Sequence, residues 1–595
     1  MLKKTKNYPS IPLAQTVVRL CAIKGIKHVI ISAGSRNAPL TNGFVEDEFF
    51  TTYSIIDERA AAFFALGIAQ QLKAPVALVC TSGSALLNYY PAVAEAYYSD
   101  IPLVVLSADR MPHRIDIGDG QTIRQTGVFE PHLEATAYLK PDISHATDTL
   151  LKNPLQKEID TNSTEEQIKK QQLNLQQKNA NEIARILDLA LHKSGPVHLN
   201  IPMEEPLYGM TNIPIDFDLP KRLIIEKTIS KKKIDKFKEK WHSEPRKMVL
   251  VGVLAPDSIE KKIFDSLCKD PSVIVLTETT SNLYHTNSIN SIDSLMAPLE
   301  MSTDEMKNSL KPNILLTLGG MVVSKKIKSF LRTYAPKEHW HVDSKKAYNT
   351  YYCLSEHIQI TANAFLKNVY TNKRTVHGFY EAEVLKHYNT FKKRGREWLR
   401  HQDFSDLKVF EIILSKLPQN THLQLANSST IRYSQLFDLP EKTSVFCNRG
   451  TSGIDGSTST AVGAAQISNQ PTVLISGDLS FFYDVNGLWN NYLPRNFRIL
   501  LINNSGGGIF RILPGEKDTL KYDTYFETIH KRNAKQIAKI FGFQYSTASS
   551  LLGLKFKLRS FFKVSDRPRI LEIHTPRKIN DQITLAYFRA MADQH

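Results

Sequence analysis

Residues 472–508 read TVLISGDLSFFYDVNGLWNNYLPRNFRILLINNSGGG, and the succession of patterns in that stretch decides the fold. Thr472–Ser476 and Ile499–Asn503 are short runs of aliphatic and β-branched residues, each of strand length and each followed by turn-forming residues. Between them, FFYDVNGLWNNYL predicts a crossover helix. Two strands joined this way lie parallel, because a parallel pair needs a connection of a dozen or more residues. Asp478 and Asn504, 26 residues apart, therefore fall together at the carboxyl ends of neighbouring strands. Open α/β sheets bind their ligands at that edge.

The pair suits a phosphate-bound Mg²⁺. This hard cation is usually held by one or two protein oxygens, with phosphate oxygens and water completing the shell. Asp478 supplies a charged oxygen and Asn504 a neutral one, and Mn²⁺ would accept the same set. Gly506-Gly507-Gly508 lets backbone approach closely, so a carbonyl at Gly506 is a further candidate ligand. The start of the next helix can offer N–H groups to phosphate. A lone Gly-Asp signifies only a turn. A strand-bounded Gly477-Asp478 followed by Asn503-Asn504 and a glycine run is far more specific.

Working outward, the same alternation fills the chain. Strands are expected at His28–Ile31, Val76–Cys80, Pro102–Ser107 and 195–202, with helices over Asp57–Lys73 and Gly83–Tyr98. A second block carries Met248–Val253, Val273–Leu276 and Ile314–Leu318, and the third adds Ser444–Cys447 and Ile570–His574. VALVCTSGSALLNYY…IPLVVLSADR in the first block weakly echoes TVLISGDLSFFYDVNGLW…FRILLINNS in the third. Polar connectors lie near 206–245 and 370–406, and 152–181 reads as an exposed loop and helix. The expected fold is α/β, with three doubly wound parallel-sheet domains at 1–205, 206–385 and 386–595.

Composition bounds the function. A length of 595 residues suits about three domains. No apolar run approaches the roughly 20 residues a membrane helix needs, and MLKKTKNYPSIPLAQ lacks a signal-peptide core, so no membrane span and no signal peptide are expected. Five dispersed cysteines without a CxxC pair fit a reducing cytoplasm rather than a disulfide or zinc framework. The net charge of +16 reads as a solvated lysine surface, or as attraction for anionic small substrates. No nucleic-acid module shows its signature, and none is expected as a partner.

The Gly477-Asp478…Asn503-Asn504 pattern resembles the GDG…NN signature of thiamine-diphosphate enzymes, with Leu479 in the third position. That resemblance implies a glutamate against the cofactor's aminopyrimidine, at a strand-to-helix junction of the first domain. Glu58, in Ile56-Asp57-Glu58-Arg59, has that context and is the candidate catalytic acid. The plainer reading of Asp57-Glu58 is a pair of acids favouring a helix N-terminus.

Longer segments narrow the resemblance. AGSRNAPLT (33–41), DERAAAFFALG (57–67), TSGSALLNYYPAVAEAYYSDIPLVVLSADR (81–110), GPVHLNIPMEEPLY (195–208), NRGTSGIDGSTSTAVG (448–463), GDLSFFYDVNGL (477–488) and NNSGGGIFRILP (503–514) resemble, in order, the 2-succinyl-5-enolpyruvyl-6-hydroxy-3-cyclohexene-1-carboxylate synthase family of menaquinone biosynthesis. The middle block is similar only around Leu318-Gly319-Gly320…Lys325-Lys326. The resemblance implies decarboxylation of 2-oxoglutarate and 1,4-addition of the succinyl carbanion to isochorismate. Both substrates are dianions, which arginine's planar fork suits.

Carried over residue by residue, the resemblance places Ser428, Gly453, Ile454, Gly477, Asp478, Leu479 and Ser480 at the cofactor. Asn504, Gly506, Gly507, Ile509 and Phe510 join them there, with Asp478, Asn504 and Gly506 as metal ligands. Ile454 would prop the cofactor into its bent form. On the substrate side it places Ser35, Arg36, Gln121, Lys325, Lys326, Arg432, Arg449, Phe510 and Leu513. Plainer readings are a surface role for Arg36, Arg432 and the lysines, and a core role for Ile454, Ile509, Phe510 and Leu513. His113, His132 and His198 read as structural. Ala33, Gly120 and Gly508 depart from the family pattern and put local loop geometry in doubt. The superfamily also implies at least a homodimer, or a homotetramer, with sites shared between subunits. Alternatives are another thiamine enzyme, such as an acetolactate synthase or 2-oxoacid decarboxylase, or a silent thiamine-binding paralogue.

Overall fold

Runs such as Val76–Cys80 and Leu103–Asp109 are buried along their whole length, as strands covered on both faces must be. The computed structural model describes residues 6–221, 229–370, 378–512 and 517–592. A small ribbon pairs β1 (Tyr8–Pro9) antiparallel with β8 (Met210–Thr211). The first large sheet comprises β2 (His28–Ile31), β3 (Thr51–Ser54), β4 (Val76–Cys80), β5 (Leu103–Asp109), β6 (Ala135–Tyr138) and β7 (Val197–Pro202). The second comprises β9 (Lys247–Val251), β10 (Val273–Leu276), β11 (Ser288–Ile289), β12 (Ile314–Leu318), β13 (Glu338–Val342) and β14 (Leu354–Ile358). The third comprises β15 (His422–Leu425), β16 (Ser444–Phe446), β17 (Thr472–Gly477), β18 (Arg498–Asn503), β19 (Gln544–Ala548) and β20 (Arg569–His574). Every pairing within these three sheets is parallel.

The first sheet runs β3-β2-β4-β5-β7-β6 and the third β16-β15-β17-β18-β20-β19. Counted within each block, the two orders are identical, which gives the sequence echo a topological basis. The second sheet runs β11-β10-β9-β12-β13-β14, the order of a dinucleotide-type doubly wound fold.

Two helix expectations are corrected. The segment after β17 is not one helix but a short helix, Asp478–Tyr483, and a 3₁₀ turn, Val485–Leu488. Asp484 breaks it: its buried carboxylate turns to the backbone N–H and hydroxyl of Ser459, at 2.7 and 2.8 Å. The expected helix over Gly83–Tyr98 is likewise divided, into Ser84–Asn88 and Tyr90–Ser99. Pro91, early in the second piece, cannot supply the N–H that would continue the first.

The chain divides into two compact units. Unit 1 is Met1–Ile225 with Gly450–Asn469 and Asp484–Pro494; unit 2 is Glu226–Arg449 with Gln470–Tyr483 and Arg495–His595. Unit 1 therefore holds the first sheet, and unit 2 the second and third. Within unit 1, helix Glu58–Leu72 is buried from Ala60 through Ala69. It packs against Ser457–Ala465, a helix built almost wholly of small residues. Glycines set the closeness of that crossing. A Cβ on Gly67 would lie 2.1 Å from the Thr460 carbonyl oxygen, and one on Gly463 2.0 Å from that of Phe64.

Because those neighbours are backbone, they cannot swing aside. Gly67→Val should destabilise the protein by about 3 kcal/mol through overpacking. Gly120→Ala, where a Cβ meets nothing within 4 Å, should stay within about 0.5 kcal/mol of wild type. Urea denaturation followed by circular dichroism separates the two, and equal effects would refute the close crossing.

Candidate active site

Four adjacent strands of the third sheet, in the spatial order β16-β15-β17-β18, deliver candidate residues from their carboxyl ends. Arg449 follows β16, Ser428 follows β15, Asp478 follows β17 and Asn504 follows β18. Ser428 adopts φ 68°, ψ −127°, a region costly for a residue with a Cβ. Such strain persists only where the surroundings impose it, and here it turns the chain from β15 into helix Ser429–Ser434.

Asp478 and Asn504 are buried. The Asp478 carboxylate accepts from the Leu479 N–H at 2.7 Å and from the Gly506 N–H at 3.0 Å. His530 Nε2 lies 3.3 Å from the same oxygen that Gly506 contacts. Since His530 Nδ1 accepts the Arg532 N–H at 3.1 Å, Nε2 is the nitrogen that carries hydrogen in the neutral ring, and it completes no hydrogen bond among the described residues. Asn504 donates its amide N–H to Asp406 at 2.8 Å. Burial, the largest influence, pushes the Asp406 carboxyl up to about 6, opposed by the hydrogen bonds from Thr575 and Asn504. Asn503, by contrast, spends its side chain on Glu572, the Arg532 carbonyl and the Ser505 N–H.

The glycine run is held from one side. A Cβ on Gly506 would lie 2.7 Å from the Glu527 carbonyl oxygen, which also accepts the Gly507 N–H at 2.6 Å. The Glu527 carboxylate is fully buried and bound by Arg511 and Arg577, with contacts of 2.7–2.9 Å. Gly508 opens a 3₁₀ turn, Gly508–Ile512, rather than a full helix. Ile509 is half-buried and Phe510 is 36% exposed, so neither is plain core. Leu513 lies outside the described residues. Gly477 has room for a Cβ, while Leu479 and Ser480 begin the helix that Asp478 opens, Ser480 being buried.

Beside this edge, unit 2 gathers cations around buried acids. Asn427 accepts from Arg449 at 2.7 Å and donates to the Asn448 carbonyl at 2.7 Å. Burial and then the charge of Arg449 lower the Arg432 pKa, against Asp293 and Glu278. Glu278 accepts the N–H groups of Val323 and Ser324 at 2.8–2.9 Å, just before helix Lys325–Thr333. Burial pushes its carboxyl up to about 7. Lys325 is exposed, and Lys326 pairs with Glu300. Lys328, one helical turn on and missed in the sequence, is the lysine that feels Glu278, Arg449 and Arg432. In the helix Lys328 is an i, i+3 neighbour of Lys325, whereas it stands two residues from Lys326 and so on a different face from it.

In unit 1 the two adjacent acids have separate duties. Asp57 caps helix Glu58–Leu72 by accepting the Ala60 N–H at 3.1 Å, and it also takes Asn486 Nδ2 at 2.7 Å. Glu58 is thereby spared the cap. Its carboxylate accepts from Asn88 at 3.2 Å. Gly453 and Ile454 also belong to unit 1, and Ile454 is 39% exposed. The loop they sit on is fastened by buried Glu95, which accepts the Gly450 and Thr451 N–H groups at 2.7 Å each.

The first sheet's carboxyl edge brings together Arg36, Gln121 and a residue the sequence reading missed, Arg110. Arg36 is buried, donating to the Met203 carbonyl at 3.1 Å and to Glu205 at 2.8 Å. Arg110 lies 4.0 Å from the same carboxylate. Burial, then the charge of Arg110, lowers the Arg36 pKa, while Glu205 raises it. Ser35 is exposed beside Arg36. Gln121, at φ 57°, offers its carbonyl to the Ser82 hydroxyl at 2.9 Å. Of the histidines, His198 is bonded to Ser107 at 2.7 Å and lowered by burial to about 3. His132 packs among Tyr90, Tyr97 and Tyr98, and His113 lies 3.7 Å from both Glu158 and Glu204.

The donor chemistry fits a phosphate-bound Mg²⁺. Asp478, the Asn504 amide oxygen and the tightly approached Gly506 backbone are hard oxygen donors. Among the described residues, no three His, Cys, Asp or Glu side chains cluster as a metal cage. A cation at this edge would thus draw its other oxygens from a ligand and water. Phe510, 36% exposed after the glycine run, suits contact with an organic group.

Comparison with known proteins agrees in kind. Residues 11–136 match the family described as "Thiamine pyrophosphate enzyme, N-terminal TPP binding domain". The chain is 50% identical over 591 residues to the 2-succinyl-5-enolpyruvyl-6-hydroxy-3-cyclohexene-1-carboxylate synthase of Christiangramia forsetii, covering 98% of this chain and 100% of that protein. It is 47% identical to the enzyme of that name from Flavobacterium psychrophilum, covering 98% and 99%. It is 36% identical to that from Porphyromonas gingivalis, covering 96% and 95%.

Glu278 gives a pH test. Its native carboxyl holds a proton to about pH 7, whereas an unfolded glutamate releases it near pH 4.3. Between those values the native state binds more protons than the unfolded state, so this group's contribution to stability falls as pH rises. In the cofactor-free chain, wild type should lose stability relative to Glu278→Gln from about pH 4.5 to 7, by at most about 3 kcal/mol. Chemical denaturation at several pH values checks this, and a difference that stays flat or rises would contradict it.

Proposed function

The chain belongs to the 2-succinyl-5-enolpyruvyl-6-hydroxy-3-cyclohexene-1-carboxylate synthase family of thiamine-diphosphate enzymes, and we propose that it joins 2-oxoglutarate to isochorismate with loss of CO₂, in menaquinone biosynthesis. The observation that carries this reading is the run of four neighbouring strand ends bearing Arg449, Ser428 with Arg432, Asp478 and Asn504. One edge thus offers both a hard-oxygen metal pair and fixed arginines for dianionic substrates. An enzyme acting on pyruvate alone has less need of paired arginines, and a silent paralogue has no need of Glu58.

Thiamine diphosphate, when bound, supplies the carbanion-stabilising chemistry of 2-oxoacid decarboxylation. In our reading, Asp478 and Asn504 hold Mg²⁺, or Mn²⁺ in its place, with the Gly506 backbone, and Gly477, Leu479, Ser480 and Gly507 border the diphosphate. Gly453, Ile454, Ile509 and Phe510 flank the rings. Glu58 exchanges a proton with the aminopyrimidine. Ser35, Arg36, Gln121, Arg432 and Arg449 bind substrate carboxylates, assisted by Lys325 or Lys326. Hydrogen bonds to such charged groups contribute roughly 1.5–3 kcal/mol each. The three sheets are the pyrimidine-binding, central and diphosphate-binding domains of this scheme. No helix among the described residues is long and apolar enough to cross a membrane, and we place the enzyme in the cytoplasm as a homodimer or homotetramer with shared sites.

The deciding assay supplies isochorismate and 2-oxoglutarate with and without Mg²⁺ and thiamine diphosphate. Product should require all four, and turnover of pyruvate in their place would defeat the reading. Glu58→Gln should lose about 10²- to 10⁴-fold in rate, the usual weight of general acid–base catalysis, while still binding cofactor. Mixing Glu58→Ala with Asp478→Ala chains should restore some activity. No recovery despite subunit exchange would count against shared sites.

A further inference from the structure

We propose that Asp406 is a positioning residue for the metal-binding pair, selecting which end of the Asn504 amide is available to a cation. The inference rests on the reading of Asp478 and Asn504 as Mg²⁺ ligands. A side-chain amide has an oxygen that accepts and a nitrogen that donates, nearly equal in size, so either end can face a given direction. Turned the wrong way, Asn504 would present hydrogens to a cation.

Asp406 removes the choice. Its two carboxylate oxygens only accept while it is ionised. One takes the Thr575 hydroxyl and the other the Asn504 Nδ2–H at 2.8 Å. With nitrogen committed to Asp406, oxygen is the end left over. Asp406 is itself immobilised: it is buried, opens helix Asp406–Ser415, and donates its backbone N–H to Asn580 at 2.8 Å. Thr575 is tied in turn to the Asn503 carbonyl at 3.1 Å, so the network closes on the end of β18. Nothing about Asp406 in the sequence signals this role, since it precedes Asn504 by 98 residues and sits at an ordinary helix start.

The test titrates MgCl₂ into the full-length, cofactor-free chain at fixed thiamine diphosphate, with uptake read by calorimetry and unfolding temperature measured alongside. In Asp406→Ala the half-saturating Mg²⁺ concentration should rise about 10- to 100-fold, the range typical of lost outer-shell partners. Asp406→Asn, whose oxygen can still accept from Asn504, should remain close to wild type. A folded Asp406→Ala with an unchanged Mg²⁺ requirement overturns the proposal. If that variant does not fold, an exchange decides. Asn504→Asp alone opposes two carboxylates and should impair both folding and Mg²⁺ uptake. Adding Asp406→Asn restores an N–H···O pair and should recover both, and a double variant no better than the single one overturns the proposal. Failure of the wild-type chain to show Mg²⁺-dependent uptake would instead refute the site reading, and the proposal with it.

Discussion

A carboxylate taken out of water must find donors or surrender its charge, and this protein uses that requirement to order its loops. Glu95 collects the backbone of residues 450 and 451. Glu278 collects that of 323 and 324, and Asp484 that of Ser459. Asp406, Glu527 and Glu572 tie down the segments that follow β18 and β20. Each is buried, and each takes hydrogen bonds from a loop or helix start that carries or adjoins a candidate site residue. Strand ends supply unpaired N–H groups, and a buried acid is the compact acceptor that can gather two of them. The cost is a raised pKa for Glu278, Asp406 and Asp484.

What could be read from the sequence follows the same logic of burial. Strands covered on both faces, such as VALVC and ILLTL, stand out as apolar runs. Those that escaped notice are mostly sheet edges: Thr51–Ser54, Ala135–Tyr138, Ser288–Ile289, Leu354–Ile358 and Gln544–Ala548. An edge strand has one neighbour and tolerates polar residues, so LSEHI and QYSTA carry little signal. Two interior strands, HLQL and EHWHV, hide because buried polar side chains interrupt them. His339 and His341 both meet the Thr317 hydroxyl, at 2.8 and 2.7 Å, which is how such residues can lie inside a sheet.

The site was legible where residue type alone specifies chemistry and obscure where geometry does. Asp57 and Glu58 look interchangeable in sequence. Only the cap geometry assigns one to the helix and leaves the other to a possible ligand. Arg36 was legible from its motif, but its engagement by Glu205 and its sharing of that acid with Arg110 were not. Lys325 and Lys326 were conspicuous as a pair. Lys328 drew no notice, yet it is partly buried and interacts with the charges of Glu278, Arg449 and Arg432.

The paired asparagines show how much one residue of register decides. Asn503 is the last residue of β18, and Asn504 the first beyond it. Successive side chains along a strand point to opposite faces. Asn503 turns to Glu572 on neighbouring β20 and binds the strand end into the sheet. Asn504 turns the other way, to Asp406. Two identical residues thus do unlike work, one holding the strand in place and the other presenting an amide beyond it. A single asparagine could do only one of these. The doubled residue makes sense because the edge must be anchored before it can offer an oxygen at a fixed position.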